Sequence, residues 1–320
     1  MSAARAGRDL PRAEHPPAYR AAVVMNLVAV VCWAAVPTMV KTLNRSFPIN
    51  LQNAWRYLVS LAVLWPAYFL TADRSRIRAD LAEVRRLAGK IALIALAQYA
   101  FQVSYTFSLT LIYPGVMTLV MQSSAVFGVI LAVTFFPDER RLVRDRRFLA
   151  GAAFALAGAL LVVIGGGAWG RTAFNAGVLS AFASALAWAL LATLIRRWVP
   201  QVPPLLSISS VFTILVPMFI ATYAVANGGF PLPAVPPADW ALLVASGLIG
   251  IGIGQSLFYR AVPVIGVATS TAIGLLIPLL AAVISWLAFG ERLSVLQTVG
   301  GLLLVVGSWF VIRLRMNQRR

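Results

Sequence analysis

The residue types that usually carry out protein chemistry are scarce in this sequence. Its 320 residues include one cysteine, Cys32, one histidine, His15, and ten acidic residues. One cysteine and one histidine cannot supply the ligand sets that bind zinc or iron–sulfur clusters. The sequence also lacks the GxxxxGK[ST] loop that holds nucleotide phosphates. We therefore expect no catalytic residues, no metal and no other cofactor.

The most informative polar residues lie inside long apolar segments. Gln98, Gln102 and Tyr105 are spaced by four and three residues, which places them on one face of a helix. Polar groups within a membrane must face protein or water, so we expect this stripe to line a cavity, together with Gln122 from the next segment. Hydrogen bonding between helices is the alternative for each of these side chains.

Aromatic residues extend this candidate substrate site. Trp33 and Trp188 lie near the middle of their apolar segments, away from the membrane interfaces where tryptophan is common. A pair of rings at a cavity would suit a planar substrate, and space-filling in the core is the alternative. Gln255 and Tyr259, one helical turn apart, complete this set, again with packing as the alternative.

Two basic residues lie near the point where the first apolar segment ends and the second begins. Lys41 is at the end of the first segment, and Arg56 lies about one and a half helical turns inside the second. An arginine at that depth is costly unless it is paired, hydrated or able to reach the head groups. We expect Lys41 and Arg56 to share a water-filled vestibule that attracts a substrate carboxylate. The alternative is contact with head groups and backbone carbonyls.

The composition of the chain indicates that these candidate site residues are carried by membrane-spanning helices. Hydrophobic residues make up 60% of the chain and charged residues 12%, which excludes an ordinary soluble enzyme. The net charge of +17 comes from basic clusters between apolar runs, so no nucleic-acid-binding face is expected. A membrane-spanning helix needs about 20 residues. This length predicts ten spans, at residues 21–43, 51–71, 87–109, 113–135, 147–165, 175–196, 205–226, 238–261, 266–288 and 294–313.

The distribution of basic residues predicts the orientation. With the N-terminus in the cytoplasm, 22 of the 27 Lys and Arg residues lie in cytoplasmic segments and four lie outside, leaving Arg56 within a span. Because Lys and Arg are retained on the cytoplasmic side, we expect both termini there.

The chain also resembles itself at an offset of about 150 residues. Four features recur in the same order: Trp33 and Lys41 with Trp188 and Arg196, Pro66 with Pro217, Glu139–Arg140 with Glu291–Arg292, and Gly151 and Gly158 with Gly300 and Gly307. This pattern indicates a duplicated unit of five helices. An odd number of helices inverts the second copy in the membrane, an arrangement typical of transporters.

The sequence resembles the drug/metabolite transporter superfamily, in particular its bacterial ten-helix branch with two EamA-type repeats. The resemblance covers about residues 21–313 and rests on Trp33, Lys41, Trp55-Arg56-Tyr57, Pro114-Gly115, Gly266, Glu139-Arg140 and Glu291-Arg292. It implies a central cavity lined by spans one to four and six to nine. Members of the superfamily include exporters of amino acids, aromatic ones among them, and of other metabolites.

These observations predict an all-α integral membrane protein with a 5+5 inverted repeat in the bacterial inner membrane. Its expected parts are a cytoplasmic tail (1–20), a first repeat (21–165), a periplasmic connection (166–174), a second repeat (175–313) and a basic cytoplasmic tail (314–320). We expect an exporter of small metabolites, with amino acids as the leading substrates, that acts as a monomer or weak homodimer. No acidic residue lies deep in a span, which favours transport without ion coupling. Export of other amphipathic metabolites or drugs, a membrane-embedded enzyme and a scaffold are the alternatives.

Overall fold

The computed structural model describes residues 17–136, 146–165 and 172–317, and all regular structure within these ranges is helical. His15 and the predicted feature at Glu139–Arg140 lie outside the described residues. The helices are α1 (Pro17–Leu43), α2 (Ile49–Thr71), α3 (Ile77–Arg86), α4 (Ala88–Leu111), α5 (Pro114–Met121), α6 (Ser124–Phe135), α7 (Arg146–Gly165), α8 (Thr172–Trp198), α9 (Pro204–Asn227), α10 (Pro237–Ala245), α11 (Gly254–Gly274), α12 (Ile277–Phe289) and α13 (Val295–Asn317), with a π-helical segment (Ser246–Ile253) joining α10 to α11.

Six helical stretches in the described part of the chain are long and apolar enough to cross a membrane: Ala18–Leu43, Ala88–Leu111, Pro114–Phe135, Asn175–Trp198, Pro204–Asn227 and Pro237–Gly266. α2 has 23 residues, but Gln52, Asn53 and Arg56 make it more polar than these six. Shorter apolar stretches lie in α7, α12 and α13. The described part of the chain is therefore all-helical, and the protein is a multi-pass membrane protein.

Several predicted spans are not continuous helices. The predicted span 113–135 is divided into α5 and α6 at Gln122 and Ser123, and Pro114 starts α5 in its first turn, where proline fits a helix. The predicted span 266–288 is divided between the end of α11 and α12. α11 also has a break at the first residue of that span, Gly266, whose φ of 80° is accessible mainly to glycine. At the first break, the backbone N–H groups of Gln122 and Ser123 donate to the carbonyl oxygens of Leu119 and Val120, at 3.1 and 3.0 Å, so the helix tightens locally without losing these hydrogen bonds.

α3 is a short helix that the sequence analysis did not predict. Leu81 and Val84 pack against the core cluster that contains Tyr68, and the Tyr68 hydroxyl donates to the Asp80 carboxylate at 3.1 Å. The remainder of α3 is charged and mostly exposed. α3 thus lies across the end of the bundle where α2 ends and α4 begins.

The closest helix packing joins the first half of the chain to the second. α7 packs against α13, α4 against α8, α1 against α11 and α2 against α9. At the α7–α13 crossing, a Cβ added to Gly158 would lie 2.5 Å from the Gly300 carbonyl oxygen, so the two backbones are in direct contact. Between α4 and α8, Ser108 donates to the Gly177 carbonyl at 2.8 Å and Ser180 donates to the Ser104 carbonyl at 2.9 Å.

Candidate functional site

A buried network of polar side chains joins α2 to α4. The Gln98 amide donates to the Tyr57 hydroxyl at 2.7 Å, and that hydroxyl donates to Gln102 Oε1 at 2.9 Å. The side-chain oxygen of Asn53, Oδ1, accepts from Gln102 Nε2 and from the Thr106 hydroxyl, both at 3.2 Å. All five side chains are buried. Such a network specifies how two helices face each other, because each unpaired polar group would be costly within a membrane.

Arg56 extends this network towards the π-helical segment. It is 1% exposed, its Nε donates to the Ser246 hydroxyl at 3.0 Å, and its Nη1 is 3.4 Å from Asn53 Oδ1. Gly247 permits this approach, because an added Cβ would lie 2.6 Å from the Arg56 carbonyl oxygen. Among the residues that the structure describes, no carboxylate forms an ion pair with Arg56. The site is therefore a buried positive charge surrounded by neutral hydrogen-bonding groups.

Some polar atoms of this region have no hydrogen-bond partner. They are Asn53 Nδ2, Gln98 Oε1 and Gln52 Oε1, and all three belong to buried side chains. Arg56 has further N–H groups beyond the two that contact Ser246 and Asn53. Because buried polar groups are normally satisfied, the unpaired Asn53 Nδ2 and the remaining N–H groups of Arg56 are donors suited to an anionic ligand, whereas the two glutamine oxygens are acceptors.

The predicted stripe of α4 divides into two environments. Gln98 and Gln102 are buried against α2, and the third member of their hydrogen-bonded face is Thr106, at a spacing of four residues. Tyr105 is half-buried, and its ring lies 5.7 Å from that of Phe101. Tyr105 is thus more accessible than the two glutamines.

The other predicted polar residue of the first half, Gln122, lies at the break between α5 and α6. It is half-buried, and its Nε2 has no hydrogen-bond partner. A half-buried amide at a helix break is able to bind a polar ligand.

The two predicted tryptophans pack against different partners. The Trp33 ring is 5.0 Å from that of Phe258, and a Cβ added to Gly254 would lie 2.9 Å from Trp33 Nε1. Tyr259 packs edge-on to Phe258 at 5.6 Å, and Gln255 is half-buried on the same helix. Trp33 and Tyr259 therefore belong to one aromatic cluster between α1 and α11.

Trp188 lies elsewhere. It is 36% exposed and contacts Phe101 of α4, with ring centroids 5.1 Å apart. The two tryptophans thus contact different helices.

Lys41 contacts the end of α4. Its ammonium group donates to the carbonyl oxygens of Leu109 and Ile112, both at 3.0 Å, and lies 4.9 Å from the centre of the Tyr113 ring. Arg56 has none of these partners. The shared vestibule that we expected for these two cations therefore stays a prediction, and backbone contact describes the observed position of Lys41.

Two other features bear on ligand binding. A lateral cleft of about 490 Å³ between α7 and α8 is lined mainly by aliphatic residues, including Leu156, Leu160 and Leu179, with Asn175 at its edge. It contains none of the predicted site residues.

Within the described ranges, no group of three or more His, Cys, Asp or Glu side chains could hold a metal ion.

Three residues of the site, Asn53, Thr106 and Ser246, were not among those predicted from the sequence. The spacing within α2 was an available signal for Asn53, because Arg56 and Tyr57 follow it by three and four residues. Residues at these positions lie on one side of a helix. Thr106 follows Gln102 by four residues and could have been included in the stripe. Ser246 had no such signal, because its pairing depends on tertiary packing.

The sequence and the fold are both similar to those of known proteins. A sequence model of the EamA-like transporter family matches residues 20–164 and, a second time, residues 175–313. A protein named "Uncharacterized transporter" from Haemophilus influenzae is 25% identical over 181 residues, which cover 56% of this chain and 60% of that protein. A "Probable terminal-alkyne amino-acid exporter" from Streptantibioticus cattleyicolor is 28% identical over 313 residues, covering 93% of this chain and 96% of that protein.

A solved crystal structure shares the fold. Its TM-score is 0.63 at 18% sequence identity, and the superposition covers 94% of this chain and 99% of the other. The family matches account for most of the chain, and both relatives have transporter names rather than enzyme names. The chain is therefore a membrane transporter, and it belongs to the EamA-like transporter family.

Proposed function

We propose that this transporter exports small metabolites, with amino acids as the leading substrates, by alternating access and without ion coupling. The similarity to a probable amino-acid exporter over almost the whole chain supports this substrate class. Half-buried Trp33, Tyr105 and Gln122 support a central cavity between α1, α4 and the break that follows α5.

The observation that carries the proposal is the buried Arg56 guanidinium. A buried cation within a membrane bundle is costly unless an anion or several dipoles compensate it. Its observed partners, Ser246 and Asn53, are neutral. A substrate carboxylate would complete this site, since a guanidinium binds a carboxylate through two parallel hydrogen bonds. An amino acid carries such a group, and a simple organic cation does not.

The proposed arrangement is a 5+5 inverted repeat of ten spans in a bacterial inner membrane, with both termini in the cytoplasm. Support comes from the two consecutive matches to the family model and from the concentration of Lys and Arg in alternate connections. We further propose that the protein works as a monomer or a weak homodimer, with substrate and lipid as its only required partners.

The substrate proposal is tested with Arg56→Gln in liposomes. Loss of a charge-assisted hydrogen bond costs about 1.5–3 kcal/mol, or roughly 10- to 150-fold in binding. We expect that loss for an amino acid and little change for its amide analogue. Arg45→Gln is the matched control, because Arg45 is an exposed arginine on the α1–α2 connection. Equal effects of Arg56→Gln on both substrates, in a protein that still melts like the wild type, would show that Arg56 is structural.

The absence of ion coupling is tested in the same liposomes. Uptake should proceed without a pH gradient or membrane potential, and accumulation above equilibrium under an imposed pH gradient would contradict the proposal. A panel of amino acids, nucleosides and organic cations separates amino-acid export from export of other amphipathic metabolites or drugs. Transport of organic cations alone would favour the second function.

A further inference from the structure

The short connection between α4 and α5 is held by two side chains of opposite charge. At the end of α4, the Lys41 ammonium group contacts the carbonyl oxygens of Leu109 and Ile112. These carbonyls lack partners within the helix, and the C-terminus of a helix carries partial negative charge. Lys41 of α1 therefore satisfies groups that would otherwise be unpaired in an apolar environment.

At the start of α5, the Glu291 carboxylate has the complementary role. Its two oxygens accept from the backbone N–H groups of Gly115 and Val116, at 2.9 and 3.1 Å. The N-terminus of a helix carries partial positive charge, and these hydrogen bonds are strengthened by the full charge of the carboxylate. A Cβ added to Gly115 would lie 2.8 Å from a Glu291 oxygen, so glycine is the residue that allows this approach.

These contacts join three separate parts of the bundle. Glu291 follows the end of α12, and α12 packs against both α1 and α5. Ile112, Gly115 and Val116 are buried, which indicates that this end is closely packed. Two further basic residues lie close to Glu291. The Arg45 guanidinium lies 5.8 Å from the centre of the Phe289 ring, at the end of α12, and Arg292 directly follows Glu291 in the chain.

We propose that Lys41, the connection 112–116 and Glu291 form a latch that holds this end of the transport pathway closed. Glu291 is the positioning residue, since it fixes the start of α5 without contacting substrate. This inference rests on the proposed alternating access, in which the same end must open during each cycle. Opening separates α5 from α12, so the hydrogen bonds from Gly115 and Val116 must break.

The latch is tested by thiol accessibility in a Cys32→Ala background. One reporter is Thr118→Cys, a buried position in the first turns of α5, and the other is Ser256→Cys, a buried position near the opposite end of the bundle. Each reporter is combined with Glu291→Gln, which removes the charge and places an amide N–H against the backbone N–H groups. Asp239→Asn is the matched control, because Asp239 is an acid at the same end that accepts from Ser46 and not from α5.

We expect Glu291→Gln to raise the labelling rate of the Thr118→Cys thiol about tenfold, equivalent to ~1.4 kcal/mol, and to lower that of the Ser256→Cys thiol. Asp239→Asn should change neither rate. Lys41→Met should act in the same direction as Glu291→Gln, which provides a second variant if the first fails to fold.

Unchanged rates, or equal increases at both reporters, would overturn the latch, because a merely loosened fold does not change the two ends in opposite directions. The labelling needs no substrate. Opposite changes without amino-acid transport would therefore support the latch while contradicting the proposed substrate.

Discussion

The crossing of α7 and α13 provides the most direct test of the packing. An alanine at Gly158 would place its Cβ 2.5 Å from both the Gly300 carbonyl oxygen and the Leu304 backbone nitrogen. Ordinary van der Waals contact begins near 3.4 Å. Both neighbours are backbone atoms of a helix, so the helices would have to separate by nearly 1 Å over a long contact.

The expected loss follows from two opposing effects. Overpacking of a well-packed interface costs about 1–3 kcal/mol. Alanine is a better helix former than glycine by about 1 kcal/mol, which offsets part of this cost. We therefore expect Gly158→Ala to lower the free energy of unfolding by up to about 2 kcal/mol relative to the wild type, and by about 1–3 kcal/mol relative to a Gly→Ala replacement that meets no neighbour.

Unfolding of the purified protein in mixed micelles with increasing denaturing detergent measures this quantity. Gly128→Ala in α6 is the control, since nothing lies within 4 Å of the added Cβ. This variant should be at least as stable as the wild type. The packing argument is refuted if Gly158→Ala unfolds at the same detergent fraction as Gly128→Ala.

Two further predictions concern hydrogen bonds. Tyr57→Phe removes the hydroxyl that accepts from the Gln98 amide and donates to Gln102 Oε1, and both glutamines are buried. We expect this change to lower the free energy of unfolding by about 1–3 kcal/mol in the same detergent titration. Tyr99→Phe is the control and should have a smaller effect, because the Tyr99 hydroxyl has only a 3.5 Å contact with Asn50. Gln201→Ala should raise the pKa of Glu83, because the Gln201 hydrogen bond, followed by that of Arg86, holds this pKa below its ordinary value. A carboxyl whose pKa is lowered on folding stabilises the folded state at pH values above its pKa in the unfolded state. The melting temperatures of the wild type and Gln201→Ala should therefore differ at neutral pH, and this difference should shrink below about pH 4.

The membrane-spanning helices could be predicted from the sequence because length and apolarity are local properties. α3 could not be recognised in the same way, since its few apolar residues lie among arginines and acids. A spacing of four and three residues between Ile77, Leu81 and Val84 was the available signal. The break at Gln122 had no proline or glycine to indicate it, and it depends on the surrounding helices.

The candidate site was predictable only in part. Arg56 and Gln102 were identifiable because polar residues within an apolar span are conspicuous. Ser246 was not, because it meets Arg56 from a distant helical segment, whereas Asn53 lies three residues before Arg56 on α2 and could have been recognised from that spacing. The contacts of Glu291 had the same limitation, as they join residues that are 175 and 176 positions apart.

The pairing of helices across the two halves has a consequence for biogenesis. α1 ends at Leu43 and its partner α11 begins at Gly254, so 210 residues must be synthesised between them. At ribosomal rates of about 5–20 residues per second, α1 waits roughly 10–40 s for this partner. Until then its inward-facing surface is exposed to lipid or to the insertion machinery. Neither matched stretch, 20–164 or 175–313, can complete its packing alone.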